Sequence, residues 1–508
     1  MKFILYMNKK VEKLKERIVE ISHLASISGL LSWDQEVMMP RKAIDARAAS
    51  AAHLAGIIHK KFIDIDFDGA LTNLKKQLDK GKLDDKERAI VAETWKEFER
   101  EIKLPESFVR ELAEITSKAQ SVWAEAREKN NFLLFLPYLS EIVKLKRKEA
   151  KLVGYKNHPY DALIDVYEPG MTTDDAAKIL NDLKDFLIPF VKKISLSKQK
   201  INSKILEGNF PIEKQIKFNK FIAGKIGFDF ETGRIDESVH PFTMGLHPYD
   251  TRLTTRYKKN NIFYSIGSTV HEAGHGIYEQ GLPVEHFGTP LSESISLGAH
   301  ESQSRLWENN IGKSREFWKY FYPKIKKEFP LPFNKISLDE LYKTINKISP
   351  SLIRTEADEI SYNLHIILRF EIEKEMIEGS IDLKDLPQIW NFKVKEYFGI
   401  KVPSDSLGVL QDVHWSCGLI GYFPTYAIGN LYAAQFYSVM EKQIKDIKNK
   451  ISKGDFLEIK NWLNKNIHTH GKLYSAGDLV KKVTGEPLNS DYFIKYIENK
   501  YKEIYRVN

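Results

Sequence analysis

Long stretches without proline dominate the first quarter of the chain. Residues 1–39, 41–104 and 106–136 contain none, and proline is the residue that most strongly interrupts a helix. Within these stretches apolar residues recur every three or four positions, as in VEKLKERIVEISHLASISGLLSW and DKERAIVAETWKEFEREIKL. This spacing puts the apolar side chains on one face of a helix. The sequence therefore predicts a mainly α fold built from amphipathic helices.

One short region has a different pattern. FDFETGRIDESVHPF and YDTRLTTRY alternate in polarity, are rich in Thr and Tyr, and are bounded by Gly and Pro. These features are typical of strands, so we predict a small antiparallel β-sheet in this region. The length of 508 residues indicates packed subdomains. No repeat or low-complexity linker divides the chain, and we therefore treat residues 1–508 as a single domain.

The composition indicates a soluble protein, with 42% hydrophobic residues and a mean hydropathy of -0.38. No apolar run reaches the ~18 residues that a membrane span requires. The first ten residues, MKFILYMNKK, lack the apolar core and cleavage site of a signal peptide. Because Cys417 is the one cysteine, no internal disulfide is possible. We expect a cytoplasmic protein with no membrane partner.

The charge balance gives no sign of nucleic-acid binding. The net charge of +8 arises from 77 basic and 69 acidic residues. Basic stretches such as KQIKDIKNKISKG contain acidic and apolar residues at helical spacing, which is typical of solvated helix faces. We expect no nucleic-acid partner.

The segment HEAGH, residues 271–275, lies where the histidines are concentrated, because six of the 14 fall between residues 240 and 300. On a helix, His271 and His275 lie one turn apart on the same face, so that both imidazoles reach one ion. Glu272 is rotated by about 100° from His271. It would lie beside the metal and take a proton from a water that the metal activates. The pattern predicts a hydrolytic metal centre.

A catalytic zinc needs a third protein ligand. The metzincin extension is absent, because Tyr278 and Gly281 stand where it requires Gly and His. LSESISLGAHESQSRLWEN, residues 291–309, supplies His300 and Glu301 on one predicted helix. A carboxylate is the commoner third partner of HExxH, so Glu301 is preferred to His300 as the ligand, with Glu293 third. His300 would then bind substrate or support a ligand.

The chain resembles the thermostable metallocarboxypeptidase family typified by carboxypeptidase Taq. The resemblance rests on seven ordered blocks, namely SWDQEVMMP, HPF, DTRLT, HEAGH with GTPLSESISLGAHESQSRLWEN, IRTEADEISYNLHI, GVLQDVHWS and TGEPLNSDYF. It implies a metal-dependent carboxypeptidase of broad specificity and poor activity at proline, with one Zn²⁺ or Co²⁺ ion per chain, and a homodimer. It also implies a mostly helical fold with a deep groove, similar to neurolysin and angiotensin-converting enzymes. The implied ligands are His271, His275 and Glu301, with Glu272 as general base and acid.

A carboxypeptidase must recognise the terminal carboxylate, and a bidentate arginine suits that task. The family pattern indicates Arg354 in IRTEADE. The alternative for Arg354 is an ion pair with Glu356 or Asp358. Arg252 is two residues from Asp250 on a predicted strand, so we expect a structural ion pair between them.

Other residues in these blocks are candidates for substrate contacts. His240 of HPF resembles a substrate-contacting histidine of angiotensin-converting enzymes, and the alternative is a core or turn histidine. His414 and a tyrosine would donate to the oxygen of the attacked carbonyl. We favour Tyr426 by analogy with that fold and keep Tyr422 open.

Several residues have plainer interpretations. Gln411 and Asp412 would orient His414 or the metal ligands. Trp33 with Asp34 is interpreted as packing or groove lining. Cys417 is expected in the core, and the pair His468 and His470 at the surface.

Two further functions remain open at this point. The same metal site would serve an oligopeptidase that cuts internally, and a peptide-binding scaffold would hold a metal without catalysis. The intact Glu272 argues against the scaffold.

Overall fold

The computed structural model describes residues 9–66 and 68–507, most of which are helical. The α-helices are α1 Lys9–Val37, α2 Ile44–Ile63, α3 Ala70–Asp79, α4 Asp85–Ile102, α5 Glu106–Glu128, α6 Phe132–Val153, α7 Asp161–Ile164, α8 Thr173–Ser195, α9 Ile212–Ile226, α10 Ile262–Gln280, α11 Leu297–Arg305, α12 Arg315–Glu328, α13 Pro330–Phe333, α14 Leu338–Ile345, α15 Ser361–Glu378, α16 Leu386–Phe398, α17 Pro424–Gln443, α18 Ile447–Lys453, α19 Leu457–Asn466, α20 Ala476–Thr484 and α21 Asp491–Tyr505. The strands are β1 Gly233–Glu237, β2 Thr243–His247 and β3 Asp250–Thr255. The predicted mainly α fold is confirmed.

Local sequence explains where helices begin. At α4, the Asp84 carboxylate accepts a hydrogen bond from the Glu87 backbone N–H, at 2.8 Å, and the Glu87 carboxylate accepts one from the Asp84 N–H. This capping box satisfies two N–H groups that the first turn leaves unpaired. It begins the helix at the residue where the apolar periodicity of DKERAIVAETWKEFEREIKL begins.

The small sheet lies where it is predicted, immediately before α10, but it is not wholly antiparallel. Strand β3 is central, with β2 antiparallel on one side and β1 parallel on the other. Alternating polarity predicts which face of a strand is buried, but it does not specify the neighbouring strand. Because β3 lies between β1 and β2, the consecutive strands β1 and β2 are not paired with each other, and β1 pairs in parallel with β3.

Two large apolar cores meet at α17. Ala427 and Leu431 of this helix belong to the core around α6, α8, α15 and α16. Ile428 and Tyr432 belong to the core around α9, α10 and α12. Since α17 presents apolar side chains to both cores, it holds them together beside α10 and α11. A smaller third core joins α1, α3 and α4.

No helix within the described residues is both long and apolar enough to cross a membrane.

A buried carboxyl group ties the beginning of α11 to α17. Glu168 Oε2 accepts a hydrogen bond from the Gly298 N–H at 3.0 Å, and its Oε1 accepts one from the Tyr432 hydroxyl at 2.8 Å. Burial raises the pKa of Glu168 from 4.5 to about 7, although these hydrogen bonds oppose the shift.

We predict that Glu168→Gln changes how stability depends on pH. Glu168 binds its proton more tightly in the folded state than in the unfolded state. Its contribution to the free energy of unfolding is therefore fully present below pH 4.5 and is lost as the pH rises through about 7. Glutamine does not titrate, and the free energy of unfolding of the variant relative to wild type should rise by about 3 kcal/mol between pH 4.5 and pH 8. Urea unfolding of metal-free protein at both pH values measures this difference.

The exposed Glu213 provides the control, since Glu213→Gln makes the same chemical change without burial. The prediction would be contradicted if the free energies of unfolding of Glu168→Gln and wild type differed by the same amount at both pH values.

Candidate metal centre

The candidate metal centre lies where α10 and α11 touch. A Cβ atom at Gly274 of α10 would come within 2.7 Å of the Gln303 carbonyl oxygen and the Ser304 Cα. Only glycine permits this approach of the two backbones. On the other side of α11, a Cβ at Gly429 of α17 would lie 2.6 Å from the Glu301 Cγ. Glu301 is therefore enclosed between α10 and α17.

The three predicted ligands are brought together. Glu301 Oε2 lies 3.6 Å from His271 Nε2 and 3.3 Å from His275 Nε2. The ligand atoms of the three residues all lie within 4.8 Å of one another. Atoms about 2.1 Å from a tetrahedral ion are about 3.4 Å apart, so the donor set fits one divalent cation. Two imidazoles and one carboxylate are also the donors expected of a catalytic site of this type.

The two alternative ligands lie elsewhere. His300 Nε2 is 2.7 Å from Glu279 Oε1, and its ring stacks on that of His275 with centroids 4.4 Å apart. His300 therefore lies against a candidate ligand, and its predicted role in supporting a ligand or binding substrate stays a prediction. Glu293 is exposed and pairs with Lys472 at 2.6 Å.

Sequence reasoning missed Glu308 and Arg305. Glu308 Oε2 lies 2.9 Å from His271 Nδ1, which orients that imidazole. Arg305 donates from Nε to Glu301 Oε1 at 2.7 Å and from Nη1 to Glu308 Oε2 at 3.1 Å. Glu308 follows Glu301 by seven residues, or two helical turns, in the π-helical continuation of α11, Leu306–Gly312. That spacing was a signal that could have identified it.

The electrostatic environment suits a cation. Burial and the neighbouring His300 lower the pKa of His275 to about 3, which leaves a neutral imidazole. Burial alone would raise the pKa of Glu301, but the charges of Arg305 and His271 hold it well below the ordinary value. Burial lowers the pKa of His271, but the charges of Glu301 and Glu308 outweigh this effect and raise it. Metal binding therefore competes with protonation of His271.

Glu272 is buried beside the three ligands and is held by β2. Its Oε2 accepts a hydrogen bond from the Thr243 hydroxyl at 2.7 Å, and the same hydroxyl is 3.1 Å from the Glu272 carbonyl oxygen. Burial raises the pKa of the Glu272 carboxyl, although the charge of His271 opposes the shift.

Arg354 is buried and pairs with Asp412. The alternative considered for it, an ion pair with Glu356 or Asp358, is therefore wrong. Arg354 Nε donates to Asp412 Oδ1 at 3.0 Å. Arg369 Nε donates to the other carboxylate oxygen of Asp412 at 2.7 Å. Asp412 thus binds two arginines, and it does not orient His414 by a hydrogen bond as predicted.

Gln411 supports the same arginine from the backbone side. Its Oε1 accepts a hydrogen bond from the Arg354 backbone N–H at 3.0 Å. Gln411 therefore orients the Arg354 segment, whereas the sequence predicted that it would act on His414 or the ligands.

An aromatic cluster connects the arginine pair to the metal centre. Tyr426 precedes Gly429 by three residues on α17 and therefore shares the face that contacts Glu301. The Tyr426 hydroxyl is 3.4 Å from His414 Nε2, and the Tyr422 ring lies 5.3 Å from the Tyr426 ring. Burial lowers the pKa of His414 to about 4 and raises that of Tyr426 well above 10. Both groups are therefore uncharged near neutral pH.

His240 is exposed in the bend between β1 and β2. Its carbonyl oxygen accepts a hydrogen bond from the Ser238 hydroxyl at 2.6 Å. No hydrogen bond or ion pair joins the His240 side chain to the cluster within residues 9–66 and 68–507, so its substrate contact stays a prediction.

His468 is buried, and the surface prediction for it is wrong. Its Nε2 is 2.9 Å from Gln303 Oε1, and its ring lies 4.9 Å from that of Tyr278. The HxH spacing does not reveal which neighbouring helices cover the segment. His470 and Cys417 are both half-buried.

Trp33 is packed beside the sheet, as expected. The Arg252 guanidinium lies 4.4 Å from the centroid of its ring. The predicted structural pair is also confirmed, since Arg252 Nε is 2.9 Å from Asp250 Oδ1. Asp34 pairs with Arg47.

We predict that Glu308→Gln weakens metal binding by about 10–100-fold, because the variant loses the carboxylate that accepts from His271. Competition with a chromophoric chelator measures the affinity. Glu106→Gln, at an exposed glutamate in α5, makes the matched control. Equal affinities of Glu308→Gln and Glu106→Gln would count against the assigned contact.

Known proteins match almost the whole length of this chain. The family model described as "Carboxypeptidase Taq (M32) metallopeptidase" matches residues 13–501. "Carboxypeptidase 1" of Bacillus subtilis is 39% identical over 496 residues, covering 96% of each chain. "Thermostable carboxypeptidase 1" of Thermus thermophilus is 38% identical over 497 residues, covering 96% of this chain and 97% of the other.

The fold is also that of solved relatives. The crystal structure of the M32 carboxypeptidase of Deinococcus radiodurans superposes with a TM-score of 0.95 at 35% identity, covering 98% of this chain and 100% of the other. The sequence blocks, the fold and the ligand cluster therefore agree, and the chain belongs to the carboxypeptidase Taq (M32) family of metallopeptidases.

Proposed function

We propose that this metallocarboxypeptidase releases residues one at a time from the free C-termini of peptides, with broad specificity and poor activity at proline. One Zn²⁺ or Co²⁺ ion, held by His271, His275 and Glu301, would be its cofactor. The observation that carries the proposal is the buried Arg354 beside the metal centre.

Arg354 retains the donors that a terminal carboxylate needs. Asp412 engages its Nε and Nη2 atoms, and Nη1 donates to the Tyr362 hydroxyl at 3.2 Å. Since each terminal nitrogen carries two N–H groups, Nη1 and Nη2 each retain one. Asp412 shares its single negative charge between Arg354 and Arg369, so the group keeps a net positive charge that attracts an anion. A bidentate carboxylate matches this edge of the guanidinium.

Glu272 is proposed as the proton carrier. When bound, the metal would lower the pKa of water and polarise the scissile carbonyl. The Glu272 carboxylate would take a proton from the attacking water and deliver it to the leaving amine. Its hydrogen bond from Thr243 fixes one carboxylate oxygen and leaves the other to receive that proton.

His414 and Tyr426 are proposed as donors to the developing oxyanion. A neutral imidazole and a protonated phenol each donate one hydrogen bond, and the low pKa of His414 and the high pKa of Tyr426 support those forms. Tyr422 remains the second candidate for the tyrosine role. Substrate contacts of His240 and His300 also stay proposals.

The proposal also covers the domain organisation, location and partners of the enzyme. We propose one catalytic domain over residues 1–508, because α17 belongs to both large cores. A cytoplasmic location agrees with the single cysteine, Cys417. Peptides with a free C-terminus are the proposed partners, and nucleic acids and membranes are not.

A direct test compares one peptide bearing a free C-terminus with the same peptide amidated, with chelated enzyme as the control. We expect mass spectrometry over time to show the free peptide losing one residue per step, and the amide to remain intact. Equal cleavage of the two peptides would contradict the carboxypeptidase activity and favour an endopeptidase.

Three variants assign the roles of Arg354 and Glu272 within that test. Arg354→Ala should lower kcat/KM on the free peptide by about 100-fold, since it removes one partner of a buried charge contact. Arg354→Lys keeps the charge without the bidentate edge and should remain impaired. Glu272→Gln should lower kcat by about 10²–10⁴-fold with metal content unchanged. Full activity of Glu272→Gln would exclude the proton-carrier role.

We also propose a homodimer, supported by the surface of α2. No residue of Ile44–Ile63 is buried, and Ile44, Ile57 and Ile63 are exposed. A second subunit would remove this apolar surface from water. We expect sedimentation velocity to give a dimer that Ile57→Asp dissociates. A wild-type monomer at micromolar concentration would contradict the proposal.

A further inference from the structure

Glu373 of α15 is fully buried, and its carboxyl group accepts three hydrogen bonds. Oε1 accepts from Trp415 Nε1 at 2.8 Å. Oε2 accepts from the Gly421 backbone N–H at 2.9 Å and from the Tyr160 hydroxyl at 2.7 Å. Trp415 and Gly421 lie near the two ends of the loop of residues 414–422, so one side chain holds both ends of this loop.

The 414–422 loop carries candidate donors to the oxyanion at both ends. It begins at His414 and ends at Tyr422, the second candidate for the tyrosine role. The Nδ1 atom of His414 is buried without a hydrogen-bond partner in the part of the chain that the structure describes, and its Nε2 lies 3.4 Å from the Tyr426 hydroxyl. The direction of the imidazole therefore depends on the backbone that carries it and on packing against Phe423, whose ring lies 4.4 Å away.

Helix α15 anchors the chain on both sides of His414. Arg369 and Glu373 are four residues apart and therefore lie on the same face of this helix. Arg369 Nε donates at 2.7 Å to Asp412, which is two residues before His414. Glu373 accepts from Trp415, which is one residue after it. The position of the imidazole thus depends on two polar contacts with one helix.

The loop also packs against α7 and the residues that follow it. A Cβ atom at Gly421, where φ is +98°, would come within 2.7 Å of the Leu163 carbonyl oxygen. The Tyr167 ring lies 5.1 Å from the Tyr422 ring, and the Tyr167 carbonyl oxygen accepts a hydrogen bond from the Leu297 N–H at 3.0 Å. Since Leu297 begins α11, this segment relates the position of the loop to the helix that carries the third metal ligand.

We propose that Glu373 is a positioning residue, whose carboxylate fixes the 414–422 loop so that His414 is aimed at the oxyanion of the reaction. The inference rests on the proposed function and adds a residue to it. Glu373 acts through Trp415 and Gly421 and does not itself touch the substrate. A displaced donor stabilises the transition state less, because hydrogen bonds to an oxyanion require close contact.

Glutamine at position 373 cannot make all three contacts. Its amide has one oxygen that accepts and one nitrogen that only donates. Trp415 Nε1 and the Gly421 N–H also only donate, whereas the Tyr160 hydroxyl can accept. An amide oxygen that faces Trp415 loses the contact with Gly421, and one that faces Gly421 loses the contact with Trp415. Glu373→Gln therefore releases one end of the loop while it preserves the shape of the side chain.

The test measures kcat, KM and metal content of Glu373→Gln on a peptide with a free C-terminus. Burial raises the pKa of Glu373 to about 7, so assays at pH 8 compare the ionised wild-type side chain with the amide. We expect kcat to fall by about tenfold or more, with KM and metal content within about twofold of wild type. The control is Glu371→Gln, because Glu371 lies on the same helix and pairs with Lys184 and Lys393.

Trp415→Phe tests whether the effect passes through the loop. This variant keeps an aromatic ring and removes the indole donor, so it should also lower kcat by about tenfold. In its background the glutamine oxygen can face Gly421 at no further loss. Adding Glu373→Gln should therefore lower kcat by less than about twofold more. Two losses that multiply in the double variant would overturn the proposed route.

Hydrogen exchange read by mass spectrometry follows the loop without reference to activity. Residues 414–422 should exchange about tenfold faster in Glu373→Gln than in Glu371→Gln. A loss of kcat without faster exchange would place the effect outside the loop and overturn the inference. Release of no C-terminal residue from any peptide by wild type would overturn the proposed function. Release with equal kcat in Glu373→Gln and Glu371→Gln would overturn the positioning role alone.

Discussion

The close approach of α10 and α11 at Gly274 is the constraint on which the metal centre depends. The histidine pair at one-turn spacing supplies only two donors, and neither helix alone can supply the set. At this crossing the Gln303 carbonyl oxygen and the Ser304 Cα occupy the space of a side chain. A larger residue at position 274 would separate the helices and move Glu301 away from both imidazoles. Backbone packing thus sets the distances of the ligands.

Buried charges around this crossing are arranged in balanced groups. Arg305 compensates Glu301 and Glu308, while Asp412 lies between Arg354 and Arg369. A buried charge without a partner is strongly unfavourable. The net charge of each group therefore decides whether a cation or an anion can bind beside it. In the first group Lys313 Nζ also lies 3.7 Å from Glu308 Oε1, so each of the two carboxylates has a cationic partner. The second has excess positive charge and suits an anion. The second group therefore suits the terminal carboxylate of the substrate that we propose.

Sequence patterns predicted the local parts of this arrangement. Helical periodicity identified the segments that became α1 and α4, and the spacing in HEAGH identified two ligands on one helix face. Glu301 was preferred over His300 on ligand chemistry, and the geometry brings Glu301 to the histidines. These inferences succeed because neighbours on one helix have fixed relative directions.

Contacts between distant segments could not be predicted in the same way. Arg354 and Asp412 are 58 residues apart, and nothing near Arg354 excludes Glu356 or Asp358 as its partner. The burial of His468 depends on contacts with α10 and α11, and Gln303 of α11 is 165 residues away in the sequence. The parallel pairing of β1 likewise depends on strand order. Such features follow from tertiary packing, which a single sequence does not encode in any local pattern.

Helix α10, which carries two of the ligands, contains one glycine that its packing requires and one that its packing does not. At Gly274 the backbone of α11 occupies the space of a side chain, whereas a Cβ at Gly267 would find no other atom within 4 Å. Glycine inside a helix is less stable than alanine by about 1 kcal/mol. A search for more robust variants should therefore accept alanine at position 267 and reject it at position 274.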